Sequence, residues 1–169
     1  MSGLTSYIVL AEEAGAAVER REAQYPALIE AGKISADQAT REIRVWRAIA
    51  ADWHWVVRLE RREVEAATLE EKLAALEDST RRAERALHKA FRAADSSVRD
   101  AWQREMPIAH IAERYGAAAA PFLAEWDRYW CFADLLKWYR RDLPSSDRPG
   151  IAHFVKRHVQ LSQPVRAAA

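Results

Sequence analysis

The sequence predicts an all-α fold, and three observations support this. The chain of 169 residues contains only five glycines and six prolines, and residues 33–106 contain neither. Alanine, leucine, glutamate and arginine, which are good helix formers, dominate that stretch. No segment alternates apolar and polar residues between glycine-bounded turns, as a half-buried strand would. We therefore expect a coiled-coil-like antiparallel hairpin of long helices over residues 1–104. A compact, Trp-rich helical lobe with a basic C-terminal segment is expected over residues 105–169, within one continuous domain.

Turn and capping residues predict the hairpin. The first helix is expected from Ser6 to Ala31, and Pro26 inside it should kink or divide it because proline removes a backbone donor. Gly32 suits the left-handed position just past a helix end. Ser35 is the expected N-cap of the second helix, with Gln38 completing a capping box. Because this connection is short, the two helices are expected to be antiparallel.

The second helix carries two apolar stripes that are out of phase. They are offset by two residues, which turns a helix by about 200°. Near the charged block 60–63, the helix must therefore change packing partners or break. Asp78, Ser79 and Thr80 favour caps over helix interiors, so we expect two helices, 36–77 and 80–104, with one continuous helix as the alternative. The first stripe is Ile43, Trp46, Ala50, Trp53 and Val57, and the second is Ala66, Leu69, Leu73, Leu76, Thr80, Ala83, Leu87, Ala90 and Ala94.

Two stripes on nearly opposite faces are difficult to cover within a chain of this length. A second copy of the chain would cover them. The sequence therefore predicts a homodimer that is joined through residues 43–94.

Prolines and glycines also divide the C-terminal part. Pro107 is expected to open a short helix that stops at Gly116. Pro121 is expected to open a helix that runs to about Asp142 and is apolar around nearly its whole circumference, which is typical of a buried helix. A final short helix is expected over residues 151–161.

Composition excludes several classes of protein. The net charge is +1, so bulk charge does not indicate a nucleic-acid-binding protein. The single cysteine excludes a disulfide framework and a cysteine-rich zinc site. No apolar run reaches the roughly 18 residues of a membrane span, and the short apolar stretch 7–11 lacks a basic region before it. We expect a soluble, cytoplasmic protein.

The sequence predicts no catalytic, cofactor-binding or metal-binding residues. Glycines are too scattered for a phosphate-binding loop. The five histidines form neither a His-Glu-x-x-His nor a di-iron Glu-x-x-His pattern. Cys131 lies within the most apolar helix, where a free cysteine is usually a small hydrophobic residue. We therefore expect a protein that is not an enzyme and has no cofactor.

Charge and aromatic residues predict a partner-binding surface near the C-terminus. Residues 137–169 contain seven basic and two acidic side chains, whereas residues 11–78 have a net charge of −5. Aromatic side chains beside cations suit a contact surface. The blocks 19–22 and 60–63 are instead expected to be solvated faces with local ion pairs. The predicted partner-binding residues are Trp55, Lys137, Trp138, Arg140, Arg141, Arg148, Lys156 and Arg157.

Residues 108–116 resemble the first helix and turn of a helix-turn-helix. Ala112 would be the small residue at the helix contact, and Gly116 the turn glycine. The next helix, however, offers Glu125, Trp126 and Asp127 where a DNA reader offers basic or amide side chains. A DNA-binding regulator that uses residues 108–130 and the basic C-terminal segment is therefore the alternative function.

Residues 21–53 resemble a helical hairpin found in small uncharacterised proteins of proteobacterial phages and prophages. The resemblance implies a phage or prophage origin and brings no known activity. Small phage proteins of this kind often act by binding host or viral machinery. Together with the absence of catalytic motifs, it favours a protein-interaction module that binds and inhibits or modulates host machinery. The matching residues are Arg21-Glu22, Tyr25-Pro26, Ala31-Gly32-Lys33-Ile34-Ser35, Ala39, Glu42-Ile43 and Ala48-Ile49-Ala50-Ala51-Asp52.

Overall fold

The computed structural model describes residues 6–141, and all the regular structure within this range is helical. The predicted all-α fold is therefore confirmed. The helix predicted over 151–161 lies outside the described residues. None of the helices within 6–141 is both long enough and apolar enough to cross a membrane. The helices are α1 (Tyr7–Glu30), α2 (Ala36–Arg58), α3 (Leu69–Ala93), α4 (Ser96–Gln103), α5 (Ile108–Tyr115) and α6 (Ala120–Arg140), with a 3-10 turn at Gly116–Ala118 between the last two.

The hairpin of α1 and α2 forms as its local signals predict. Gly32 adopts a φ of 65°, and the Gly32 and Lys33 amides donate to the carbonyls of Ile29 and Leu28, each at 2.9 Å. These two bonds form a Schellman motif, which satisfies the last carbonyls of α1. Pro26 removes one backbone donor, but α1 continues past it to Glu30 and is not divided.

The start of α2 shows half of the predicted capping box. The Ser35 hydroxyl oxygen accepts a hydrogen bond from the Gln38 amide at 3.1 Å. The Gln38 side chain does not return this bond but donates to Glu42 Oε1 at 2.9 Å. The N-cap prediction is confirmed, and the reciprocal half of the box is replaced by a contact one turn further along the helix.

The predicted break at residues 78–80 is wrong. The chain leaves α2 at Arg58, and α3 begins at Leu69, so the charged block 60–63 lies in an irregular segment. Within α3, the Thr80 hydroxyl donates to the Leu76 carbonyl at 2.7 Å, and Ser79 Oγ accepts from Arg21 at 3.0 Å. Because both hydroxyls have partners inside the bundle, neither interrupts the helix.

The new start of α3 is well capped. The Thr68 hydroxyl accepts from the Glu71 amide at 3.2 Å, and the Glu71 carboxylate accepts from the Thr68 amide at 2.8 Å. Arg44 on α2 bonds the same carboxylate, and this contact lowers the pKa of Glu71 to about 2. The box and the ion pair together fix where the chain resumes its helix.

Helix α3 also ends earlier than predicted. It stops at Ala93, and α4 begins at Ser96, so the expected helix 80–104 is divided. The Arg99 guanidinium on α4 donates to the Arg92 carbonyl at 2.8 Å, which supplies one of the partners that the end of α3 needs.

The C-terminal helices follow their prolines and glycines. Pro107 is the N-cap residue of α5, and Gly116 ends it with a φ of 48°. Pro121 lies in the first turn of α6, which ends at Arg140. Both predicted helices are confirmed.

Two hydrophobic cores lie along the bundle, and α3 and α6 pass through both. The first core combines α1, α2, the first half of α3 and the second half of α6, with Trp46, Trp53 and Leu135 at its centre. The second combines the remaining half of α3 with α4, α5 and the first half of α6, and includes Leu87 and Phe122. Each core therefore contains residues from both sides of the predicted boundary at residue 104.

These cores bear on the expected homodimer. Helices α1 and α6 cover most of the two apolar stripes, so no second copy is needed to bury their large central side chains. The physical argument for a dimer through residues 43–94 is removed, and the dimer itself stays a prediction that sedimentation tests.

Leu59 adopts a left-handed conformation that suits glycine better. Its φ is 59° and its side chain is 80% exposed, so leucine contributes strain and little packing. We expect Leu59→Gly to raise the free energy of unfolding by about 0.5–1 kcal/mol in chemical denaturation, net of the greater freedom of glycine in the unfolded chain. Leu59→Ala retains the Cβ and should bring no gain. A loss of stability in Leu59→Gly would contradict this account.

Candidate functional site

The two tryptophans of the predicted surface occupy different environments. Trp138 is 4% exposed and packs its ring edge-on against Trp53 and Tyr7, at centroid distances of 6.4 and 5.7 Å. Trp55 is half-buried, and the Arg61 guanidinium lies 4.8 Å above its ring. The structure therefore places Trp138 in the core and Trp55 at the surface.

The described cations of that surface contact neighbouring groups of the same chain. Lys137 Nζ lies 3.7 Å from Asp134, and Arg140 lies 3.3 Å from Glu77. The Arg141 guanidinium lies 4.6 Å above the Trp138 ring. Arg148, Lys156 and Arg157 lie outside the described residues. The structure thus brings Lys137, Arg140 and Arg141 together at the end of α6, and their role in partner binding stays a prediction.

A different feature forms an open apolar groove beside the second core. Its volume is about 430 Å³, and it lies where α3, α4 and α6 meet. Its two tryptophan rings, Trp102 and Trp126, meet edge-on at 4.6 Å, and Phe122 lies between them and Phe91. The lining residues are Leu87, His88, Phe91, Arg92, Trp102, Phe122 and Trp126. We call this the aromatic groove.

The chain turns just described place these side chains in one groove. The break after Ala93 turns α4 away from α3, which brings Trp102 towards α6. The positive φ of Gly116 then reverses the chain before α6. Phe122 and Trp126 are four residues apart, so they lie on one face of α6, one turn apart. Tight turns, rather than one long helix, therefore build the groove.

One side of the groove is basic. Arg81, Arg85, His88 and Arg92 follow each other at intervals of four, three and four residues along α3, so they form a single exposed ridge. Among the residues from 6 to 141, neither Arg85 nor Arg92 has a carboxylate within 4.0 Å. Residues 81–93 contain five arginine or lysine side chains and one acidic side chain, whereas residues 69–78 contain four acidic side chains and one lysine. Helix α3 is thus divided by charge, and the aromatic groove lies at its basic end.

The sequence contained a signal for this surface. The four-three-four spacing of basic side chains is present in the sequence. The net charge of residues 79–136 is only +1, however, so a sum over that range does not indicate a basic surface. The sequence does not distinguish Trp102 and Trp126 from its other five tryptophans. Their exposure depends on where α3 breaks, which the sequence placed wrongly.

The position of α6 bears on the DNA-binding alternative. A recognition helix must be exposed in order to enter the major groove. Helix α6 instead packs along α3, with Phe122, Cys131, Phe132 and Leu135 buried. This packing does not favour the DNA-binding alternative.

Burial also affects the single cysteine. It raises the pKa of the Cys131 thiol to about 12, which suits a packing role better than a reactive one.

Comparisons with known proteins indicate no function for this chain. No family model, curated protein or solved structure matches this chain.

Proposed function

We propose that this protein is a non-enzymatic protein-interaction module whose aromatic groove binds an apolar segment flanked by acidic residues. The observation that carries the proposal is the open groove of about 430 Å³ with a basic ridge on one side. Aromatic side chains bury large areas at protein interfaces, and opposite charges at the rim fix the register and speed association. Large apolar side chains of the partner would fill the groove, and carboxylates would face Arg85, His88 and Arg92.

The chemistry of the lining favours a protein partner over a nucleic acid. Only His88 and Arg92 among the lining residues carry polar groups other than an indole N–H. Reading of bases needs further donors and acceptors, such as asparagine or glutamine. The acidic first half of α3, with Glu70 and Glu77, would also repel a phosphate backbone that continued along the helix.

The resemblance of residues 21–53 to phage and prophage proteins suggests the class of partner. In this proposal the module has a phage or prophage origin, acts in the cytoplasm, and inhibits or modulates a component of the host machinery. The groove supports binding, and the resemblance supports the choice of a host protein.

Charge reversal at the groove tests the proposal. A partner is first captured from the native host in high salt after nuclease treatment, and its binding kinetics are then measured. We expect His88→Glu with Arg92→Glu to slow association, flatten its salt dependence and weaken affinity at least about tenfold, because both residues line the groove. Both side chains are exposed, so the fold should survive, as circular dichroism would show.

A matched control carries the same change in net charge elsewhere. Lys33 and Arg41 are exposed and lie outside the groove, so Lys33→Gln with Arg41→Glu should bind as the parent protein does. Equal losses of affinity in the two double variants would show that the aromatic groove is not the binding site. Salt-sensitive retention on duplex DNA, abolished by the groove variant, would favour the DNA-binding alternative.

A further inference from the structure

A second pocket gathers four arginines from three helices. Arg20 and Arg21 come from α1, Arg82 from α3 and Arg128 from α6, around a space of about 220 Å³. We call this the arginine pocket. Its remaining polar lining is Gln24, Tyr25, Ser79 and Glu125, and its apolar lining is Ala83, Ala86 and Phe132.

Three of these arginines have carboxylate partners that they could exchange. Each of the three pairs is partly exposed to solvent, and such pairs contribute little to stability because water and salt compete with them. A ligand that displaced one of these carboxylates would therefore sacrifice little of the stability of the folded protein. The pairs are Arg20 with Glu13 at 2.5 Å, Arg82 with Asp78 at 2.6 Å and Arg128 with Glu125 at 2.9 Å.

Arg21 has no such partner. Its guanidinium donates to the Ala17 carbonyl at 2.9 Å and to Ser79 Oγ at 3.0 Å, and it lies 4.3 Å above the Trp46 ring. No carboxylate among residues 6–141 lies within 4.0 Å of it, and its buried Nε has no hydrogen-bond partner there. Burial lowers the pKa of Arg21, an effect that Tyr25 and Glu42 partly offset. A half-buried cation with no carboxylate in direct contact is costly unless an anion joins it.

We propose that the arginine pocket binds a phosphate-class oxyanion, either free phosphate or a phosphate monoester. A dianion with several acceptor oxygens can contact more than one guanidinium at once, which a single carboxylate does less well. A pocket of about 220 Å³ has room for an oxyanion and the first atoms of an ester group.

The pocket is separate from the aromatic groove. At about 100° per residue, Ser79, Arg82 and Ala86 lie on one side of α3, whereas Leu87, His88 and Arg92 lie on another. The two sites therefore use different faces of the same helix. This inference does not depend on the proposed function, and either can fail alone.

Glu125 is the one carboxylate in the lining, and replacing it provides a further test of the proposal. It competes with an incoming anion for Arg128, to which both of its oxygens accept hydrogen bonds, at 2.9 and 3.0 Å. Glu125→Gln should therefore strengthen phosphate binding, although it removes an ion pair from the apo protein.

Thermal denaturation in inorganic phosphate, against chloride at equal ionic strength, tests the site. We expect Tm to rise with phosphate concentration, since a ligand that binds only the folded state stabilises it. Arg82→Gln and Arg21→Gln should weaken the apparent affinity at least about tenfold. Arg82 is exposed, so its variant stays informative if Arg21→Gln proves unstable. Arg85→Gln is the control, because Arg85 is an exposed arginine of the same helix that does not line the pocket.

Further ligands separate the sources of the anion. Phenyl phosphate that binds more tightly than inorganic phosphate would identify an ester group as the ligand, and weaker binding would identify the free ion. The proposal is overturned if phosphate leaves Tm unchanged, if acetate acts as strongly as phosphate, or if Arg82→Gln and Arg85→Gln respond alike.

Discussion

Replacing Trp46 or Trp53 by alanine is expected to lower the free energy of unfolding by about 3–5 kcal/mol. Trp46 is 1% exposed and Trp53 is 0% exposed, and both lie in the first core. Trp46 packs edge-on against Phe132, with ring centroids 5.7 Å apart, and Trp53 packs similarly against Trp138. Alanine would leave a cavity at the junction of α2 and α6 that the surrounding helices could fill only in part.

Trp55 provides the internal control for this prediction. It lies on the same helix but is half-buried, so Trp55→Ala should cost much less, about 1 kcal/mol. Chemical denaturation of the three variants measures all these changes under one set of conditions. Similar losses in all three would show that α2 does not present the face to the core that the structure gives it.

The features of the fold that local chemistry determines were predictable from the sequence. Gly32, Ser35, Pro107 and Gly116 all take the turn or cap positions that their residue types favour. Each depends on backbone conformation within a few residues, which a single sequence specifies. The all-α class follows for the same reason.

The break in the long helical region depended on tertiary contacts instead. Ser79 and Thr80 favour caps in isolation, but Arg21 and the Leu76 carbonyl satisfy their hydroxyls within the bundle. The offset between the two apolar stripes was the better signal. It predicted a change near residue 60, and this is where α2 ends. Packing of whole helices thus prevailed over local preference.

The candidate sites were less predictable because each joins distant parts of the chain. The sequence predicts that Arg20 and Arg21 belong to a solvated charged block. In the structure, however, Arg21 contacts Ser79, which is 58 residues away. Similarly, an all-apolar helix such as α6 does not indicate which of its aromatic rings are buried. The structure buries Trp138 and leaves Trp126 partly open to the aromatic groove.

Asp52 joins three helices, and Asp52→Ala is expected to lower the free energy of unfolding by about 2–3 kcal/mol. Its carboxylate lies 2.6 Å from Lys72 Nζ on α3 and accepts a hydrogen bond from the Tyr139 hydroxyl on α6 at 2.7 Å. The Lys72 side chain is only 15% exposed. Removing the carboxylate leaves that ammonium group without its counter-ion in a poorly hydrated position.

Two further variants separate charge from general loss of packing. Asp52→Asn keeps an acceptor for Tyr139 but removes the charge that balances Lys72, so its loss should lie between those of the parent and Asp52→Ala. Glu22→Ala removes an exposed interhelical ion pair of similar length, to Arg47 at 2.5 Å, and should cost less than about 0.5 kcal/mol. Urea denaturation at neutral pH compares them. If Asp52→Ala cost no more than Glu22→Ala, the contact among α2, α3 and α6 would be an ordinary surface pair, and hydrophobic packing alone would hold these helices together.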